Sequence, residues 1–205
     1  MVAYFGAHSV GVGVYYGLQT VIFEIGLAFS VARYAVGHGG LGEKDAEAFG
    51  LGLGFWENAI LPGVLSLLDL VTYYFVLSSN TPIAQTLFNQ LSKSAPDLFS
   101  PPSQAIGLVA AGVVERISSI LIHFSWGCLC VMAASFRKRK YLMIALPMGF
   151  IDFLVPFAQS LRLIVFEAIV LAISIISVAM AWLATRELRN GPLPSQMTSR
   201  AIEQK

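Results

Sequence analysis

The stretch GVVERISSILIHFSWG, residues 112–127, places a glutamate, an arginine and a histidine inside an otherwise apolar run. A helix of about 20 mostly apolar residues is long enough to cross a lipid bilayer. Ionisable side chains within such a helix are costly unless they face a bundle interior or a water-filled cavity. The stretch therefore predicts a membrane-spanning helix with a polar face directed at neighbouring helices.

The composition of the whole chain supports this interpretation. Its 205 residues are 56% apolar and 12% charged, whereas ordinary soluble domains are about 25% charged. We therefore expect an integral membrane protein with the lipid bilayer as its solvent. The formal net charge of +1 and the scattered basic residues argue against a nucleic-acid partner. Cys128 and Cys130 diverge on a helix, so we expect packing residues rather than a disulfide.

The apolar runs predict an all-α, polytopic bundle in a single domain, residues 1–190, followed by a polar C-terminal tail, residues 191–205. The polar segment 78–102 contains apolar residues at helical spacing and predicts a short interfacial helix. The five predicted spans cover about 12–36, 46–78, 104–135, 141–158 and 163–186.

Two features of the sequence bear on topology. Pro62 and Gly63 interrupt the second span, where the chain either kinks or turns. We interpret the interruption as a kink, because five spans then put eight basic residues on one side and two on the other. The basic side is expected to be cytoplasmic, and it includes the RKRK turn, residues 137–140, and the C-terminus.

Ionisable residues in the predicted spans form the candidate polar network. Glu115, Arg116, Ser119 and His123 share one side of the third span, and Arg116 is predicted to pair with a carboxylate such as Glu57 or Glu24. The network is expected to comprise Glu57, Glu115, Arg116, Ser119, His123 and Asp152. A buried structural network, a catalytic or metal site and a substrate pathway remain open as its role.

The glycines at the start of the second span suggest close helix packing. Gly50 and Gly54 are four residues apart, so they lie on one helix face and let another backbone approach. Glu57 follows Gly54 by three residues and is expected beside that contact.

Three blocks resemble the YhfC family of multi-pass membrane proteins: FGLGLGFWENAIL (49–61), VVERISSILIHFSWG (113–127) and IALPMGFIDFLVPFA (144–158). The resemblance implies membership of the CAAX-prenyl-protease-like superfamily of intramembrane metalloproteases. Residues 121–141 are also similar to the Aph scaffold subunit of γ-secretase. The resemblance implies a plasma-membrane location in a prokaryote, with Glu24, Glu57, His123 and Asp152 as candidate catalytic residues.

The chain departs from the family pattern at two metal-ligand positions. Leu53 and Met148 stand where the resemblance would place histidines, and Glu24 lacks the second glutamate that usually follows it. Zinc sites usually hold three or four protein ligands dominated by imidazole or thiolate. We therefore expect no zinc ion and no other cofactor at the family position.

These departures favour a non-catalytic scaffold or subunit of the YhfC/Aph-like fold that packs against partner membrane proteins or against itself. The alternative is an intramembrane metalloprotease with an atypical site, the only interpretation in which zinc is expected. A small transporter is a weaker third possibility, because the sequence lacks the internal symmetry of that class.

Overall fold

The computed structural model describes residues 10–189 except positions 80, 95, 100 and 161. No strand occurs in this part of the chain, and the predicted tail, 191–205, lies outside it. Within the described residues, six α-helical segments follow one another, some with π or 3₁₀ turns: α1 (Val10–Gly37), α2 (Glu43–Ser78), α3 (Pro82–Ser94), α4 (Pro102–Phe136), α5 (Arg139–Gly149) and α6 (Leu163–Arg189).

In the described part of the chain, five segments are long and apolar enough to cross a membrane, which confirms the predicted all-α polytopic bundle. They are α1, α2, most of α4, α5 with the 3₁₀ helix that follows it (Phe150–Ser160), and most of α6. The helix predicted in segment 78–102 is present as α3.

The second span continues through Pro62 and Gly63 without a turn between two crossings. A π-helical turn, Trp56–Ile60, precedes the proline, and the backbone N–H of Leu61 donates to the Trp56 carbonyl oxygen. Because Pro62 has no N–H to donate, a regular α-helical ladder cannot run through this point. The wider turn accommodates the proline, and α2 remains one helical segment of 36 residues.

Helix α4 is the centre of the bundle and packs against α1, α2, α5 and α6. Its C-terminal half carries the most deeply buried side chains, among them Ile122, Trp126 and Leu129. Cys128 and Cys130 are buried and free, as the sequence predicted. The site described below lies at the edge of this core, where α1 and α2 meet α4.

Backbone contacts between α2 and α4 depend on glycine. A Cβ atom added at Gly54 would lie 2.7 Å from the Ile120 carbonyl oxygen. One added at Gly50 would overlap the Phe124 carbonyl oxygen and lie 3.0 Å from the Cys128 backbone nitrogen. The absence of side chains at these positions sets the separation of the two helices.

Helix α1 makes a similar contact with the 3₁₀ helix. The Phe153 ring lies against Gly13, and the Phe150 ring lies against Gly17. The two rings stack with centroids 5.5 Å apart and an interplanar angle of 14°. This contact holds the first span against the fourth.

Candidate metal centre

Three ionisable side chains from three spans meet at one point of the bundle. Glu24 comes from α1, Glu57 from α2 and His123 from α4, and one ligand atom of each lies within 4.8 Å of the others. In the described part of the chain, this is the only group of three or more potential metal ligands that converges in this way. The convergence agrees with the requirement that ionisable groups in a span face other helices.

Both carboxylates lie in π-helical turns. Glu24 is in the turn Thr20–Ile25 and Glu57 is in the turn Trp56–Ile60. A π turn widens the helix locally and redirects its side chains, and such turns occur frequently at functional sites. The two irregular turns therefore flank His123 from two different helices.

The imidazole of His123 is held at both nitrogens. Nδ1 lies 2.8 Å from the Ser119 carbonyl oxygen, one turn earlier on α4. Nε2 lies 3.0 Å from Glu57 Oε2 and 3.3 Å from Glu24 Oε2. On its other side the ring contacts Trp126, with centroids 4.1 Å apart.

The Ser119 carbonyl and the two carboxylates around His123 determine which kind of group its Nε2 atom can bind. A carbonyl oxygen only accepts hydrogen bonds, so we assign the Nδ1 hydrogen to the bond with Ser119. A neutral imidazole then presents a lone pair at Nε2 toward two carboxylates, which also offer lone pairs. A positive charge among the three groups, either a proton or a metal ion, removes this conflict.

The two distances that join His123 Nε2 to the glutamates suit a divalent metal ion. Metal–ligand bonds of about 2.0–2.2 Å place adjacent ligands about 3.0 Å apart in octahedral and about 3.4 Å apart in tetrahedral coordination. The observed distances of 3.0 and 3.3 Å from Nε2 fall in this range. The side chains of Glu24 and Glu57 are 39% and 35% exposed, so the site is open on its carboxylate side.

A third carboxylate lies in the surroundings of this cluster. Asp152, in the 3₁₀ helix, interacts electrostatically with Glu24 and His123. Its Oδ2 accepts a hydrogen bond from the Thr20 hydroxyl of α1. The structure thus brings the four candidate catalytic residues predicted from the sequence into one region.

The remaining members of the predicted network are placed differently. Arg116 has a carboxylate within reach, but it is its neighbour Glu115, at 3.6 Å, rather than Glu57 or Glu24. The predicted pairing across helices is wrong because Arg116 is seven residues, about 10 Å, from His123 along α4. Ser119 contributes its backbone carbonyl oxygen to the site.

Leu53 and Met148 pack as apolar residues. Met148 is 4% exposed and belongs to the hydrophobic core, and Leu53 packs against the same core. Neither supplies an imidazole near Glu57 or Asp152.

Sequence reasoning missed Thr20 and both π turns. Thr20 precedes Glu24 by four residues, so helical spacing could have indicated a contact between them. The π turns have no comparable signal in the sequence, because they depend on how the helices pack.

The fold and the cluster define a polytopic helical membrane protein with a candidate metal centre formed by its first three spans. The family model described as YhfC intramembrane metalloprotease matches residues 1–185, and the chain belongs to this family. No curated protein and no solved structure matches the chain. The wider resemblance to CAAX-type proteases and to the Aph subunit stays a prediction.

Proposed function

We propose that the chain is a metal-dependent intramembrane peptidase whose metal ion is bound by Glu24, Glu57 and His123. The observation that carries the proposal is the convergence of these three ligands from three separate spans. The family to which the chain belongs supports the same activity. We also place the protein in the plasma membrane of a prokaryote.

In this proposal each side chain has a distinct task. His123 is oriented by the Ser119 carbonyl oxygen, so its Nε2 is directed at the two glutamates. Glu24 and Glu57 supply negative charge on the open side of the site, where a peptide substrate would enter. A divalent cation held there would polarise the scissile carbonyl and activate a water molecule. Asp152 stands beside the ligands as an additional carboxylate.

The ligand set favours a metal other than zinc. One imidazole and two carboxylates form a donor set dominated by oxygen, and such sets suit ions such as Mn²⁺ better than thiolate-rich or histidine-rich sets do. The absence of zinc expected from Leu53 and Met148 therefore stays a prediction and is compatible with the proposal.

Elemental analysis of the purified protein tests the metal site. We expect a stoichiometric divalent metal in the wild-type chain, and loss of that metal in Glu57→Gln and His123→Ala. Glu115→Gln is the matched control, because it removes one carboxylate charge from α4, the helix that carries His123, but outside the cluster. Metal-free wild-type protein, or metal retained in His123→Ala, would contradict the proposed site.

Proteolysis is tested separately in cells. Mass spectrometry of new N-termini in membrane proteins would compare cells expressing the wild-type chain with cells expressing Glu57→Gln. We expect cleavage products that require the wild-type site and persist in Glu115→Gln. Stoichiometric metal without such products would remove the peptidase activity from the proposal.

A second candidate function, the non-catalytic scaffold, is supported by Leu53 and Met148. Both occupy apolar packing positions, and a buried methionine stabilises a bundle without offering it a metal ligand of the expected kind. In this case His123 serves as a hydrogen-bonding group that links α1, α2 and α4, and its partners are other membrane proteins or a second copy of the chain.

Substitutions at His123 separate the two candidates. A scaffold should tolerate His123→Gln, which retains a donor and an acceptor, with native-gel mobility of its membrane complexes unchanged. His123→Ala should lower its stability by about 1–3 kcal/mol, because the partners of the imidazole are left unpaired. If His123→Gln abolishes cleavage of membrane proteins while thermal stability is preserved, the peptidase is favoured.

A further inference from the structure

Thr20 is a buried polar residue at the first position of the π turn in α1. Its side chain is 3% exposed and lies in the contact that α1 makes with the fourth span. A Cβ atom added at Gly149 would lie 3.4 Å from the Thr20 methyl carbon. The methyl group therefore faces the end of α5, and this contact, with the stiffness of β-branched side chains at χ1, fixes the direction of the hydroxyl.

The hydroxyl faces two carboxylates but has only one hydrogen to donate. The Asp152 Oδ2 atom lies within hydrogen-bond distance of this hydroxyl, whereas Glu24 Oε1 is 3.5 Å away, at the limit of a hydrogen bond. The hydrogen is therefore assigned to the bond with Asp152. This bond connects the first span to the fourth at the level of the metal ligands.

Asp152 needs such a partner to stay where it is. It interacts electrostatically with Glu24, and two carboxylates, when both are ionised, repel each other more strongly inside a membrane protein than in water. A hydroxyl donor from Thr20 offsets part of this repulsion, because hydrogen bonds to charged groups are stronger than those between neutral groups.

We propose that Thr20 is a positioning residue that holds the Asp152 carboxylate against the Glu24–Glu57–His123 cluster. The inference deepens the proposed function and rests on it. Thr20 does not contact the metal or the substrate in this proposal. It acts through Asp152, which supplies negative charge beside the three ligands.

A matched pair of variants separates the hydroxyl from the shape of the side chain. Thr20→Val removes the hydroxyl and keeps the branched shape. Thr20→Ser keeps the hydroxyl and removes the methyl group that faces Gly149. If Thr20 only fills space, valine is harmless and serine is damaging; the proposal predicts the reverse order.

The first measurement is the binding of Mn²⁺ to purified protein in detergent. It is monitored through the loss of the electron paramagnetic resonance signal of the free ion. We expect Thr20→Val to weaken Mn²⁺ binding roughly 10-fold, the lower end of the effect of losing outer-shell hydrogen bonds at metal sites. Thr20→Ser should bind Mn²⁺ nearly as tightly as the wild-type chain. Wild-type affinity in Thr20→Val would overturn the proposal.

A double-mutant cycle shows whether Thr20 acts through Asp152. In an Asp152→Ala background, we expect Thr20→Val to cause little further loss of Mn²⁺ affinity, because the carboxylate that it positions is gone. A loss of equal size in both backgrounds would mean that Thr20 acts by another route, and would overturn the assignment.

Infrared spectroscopy of the metal-free protein tests the role of Thr20 even if the protein binds no metal. The Asp152 carboxylate band is identified from the difference between the wild-type chain and Asp152→Asn. We expect this band to shift in Thr20→Val and to stay in place in Thr20→Ser. If wild-type protein binds no Mn²⁺, the metal proposal falls; an unshifted Asp152 band in Thr20→Val would overturn the role of Thr20 independently.

Discussion

At the scale of single residues, glycines, which have no side chain, have the largest effect on how the helices pack. Gly50 allows α2 to approach the α4 backbone, where an added Cβ would lie 3.0 Å from the Cys128 nitrogen. Gly52, on another face of α2, has no neighbouring atom within 4 Å of its added Cβ. Two glycines two residues apart therefore have opposite roles.

We predict that Gly50→Ala destabilises the protein by about 1–3 kcal/mol, because the extra methyl group forces α2 away from α4. Gly52→Ala should leave stability unchanged or raise it by up to about 1 kcal/mol, because alanine favours helix over glycine. Thermal unfolding in one detergent, measured for both variants and the wild-type chain, checks the difference. Equal destabilisation by the two substitutions would contradict the packing described here.

Residue chemistry could be predicted better than residue pairing. Ionisable groups are rare in apolar runs and were identifiable for that reason, and the resemblance to the YhfC family selected Glu24, Glu57, His123 and Asp152 among them. The partner of Arg116 was not, because its alignment with His123 around the helix axis did not account for their separation of about 10 Å along it.

At the scale of elements, α3 illustrates how an amphipathic pattern becomes packing. Ile83 and Leu91 both belong to the apolar series that predicted this helix. In the structure Leu91 is 4% exposed, whereas Ile83 is 67% exposed. Helix α3 packs on the C-terminal part of α2, so Leu91 is a buried anchor of the α2–α3 hairpin and Ile83 is not.

We expect Leu91→Ala to lower the free energy of local opening of α3 by about 2–3 kcal/mol, the lower part of the range for buried leucines. Ile83→Ala removes a similar apolar volume from an exposed position and should change it by less than about 1 kcal/mol. Amide hydrogen exchange across Pro82–Ser94 measures both effects. Faster exchange in Ile83→Ala than in Leu91→Ala would show that α3 is held by its other face.

The irregular turns mark the limit of prediction at this scale. Periodicity gave the positions of the helices, and Pro62 indicated a disturbance in α2. Neither of these signals indicated that Thr20–Ile25 and Trp56–Ile60 would be π-helical. An extra residue per turn is tolerated where neighbouring helices compensate for it, and the sequence of one helix does not contain that information.

At the scale of the whole molecule, the length of α4 explains the division of the predicted polar network. Its 35 residues extend over about 52 Å, more than the roughly 30 Å of a bilayer core. With the RKRK turn at one surface, Arg116 lies 20 residues from Phe136 and thus about 30 Å away, near the opposite surface. The Glu115–Arg116 pair can be half-exposed there, while His123 stays within the bundle.

The corresponding prediction concerns topology. Reporter fusions after Lys140 and within residues 85–95 should report opposite sides of the membrane, with Lys140 on the cytoplasmic side, because eight basic residues flank the spans there and two flank them on the other side. A fusion after Lys44 is the control and should agree with Lys140. The same side for positions 140 and 85–95 would reject five alternating spans.

The contact between Gly13–Gly17 and Phe150–Phe153 has a geometric consequence. Four residues of an α-helix advance about 6 Å, and three residues of a 3₁₀ helix also advance about 6 Å. The α-helix and the 3₁₀ helix therefore advance by the same distance over this interval. As a result, the Phe153 ring contacts Gly13 and the Phe150 ring contacts Gly17. Asp152 lies between Phe150 and Phe153 in the sequence, so the 3₁₀ helix that carries the two rings also carries the carboxylate that accepts from Thr20. If the segment were rewound as an α-helix, the axial rise from Phe150 to Phe153 would shorten to about 4.5 Å, and one ring–glycine contact would be lost together with the placement of Asp152.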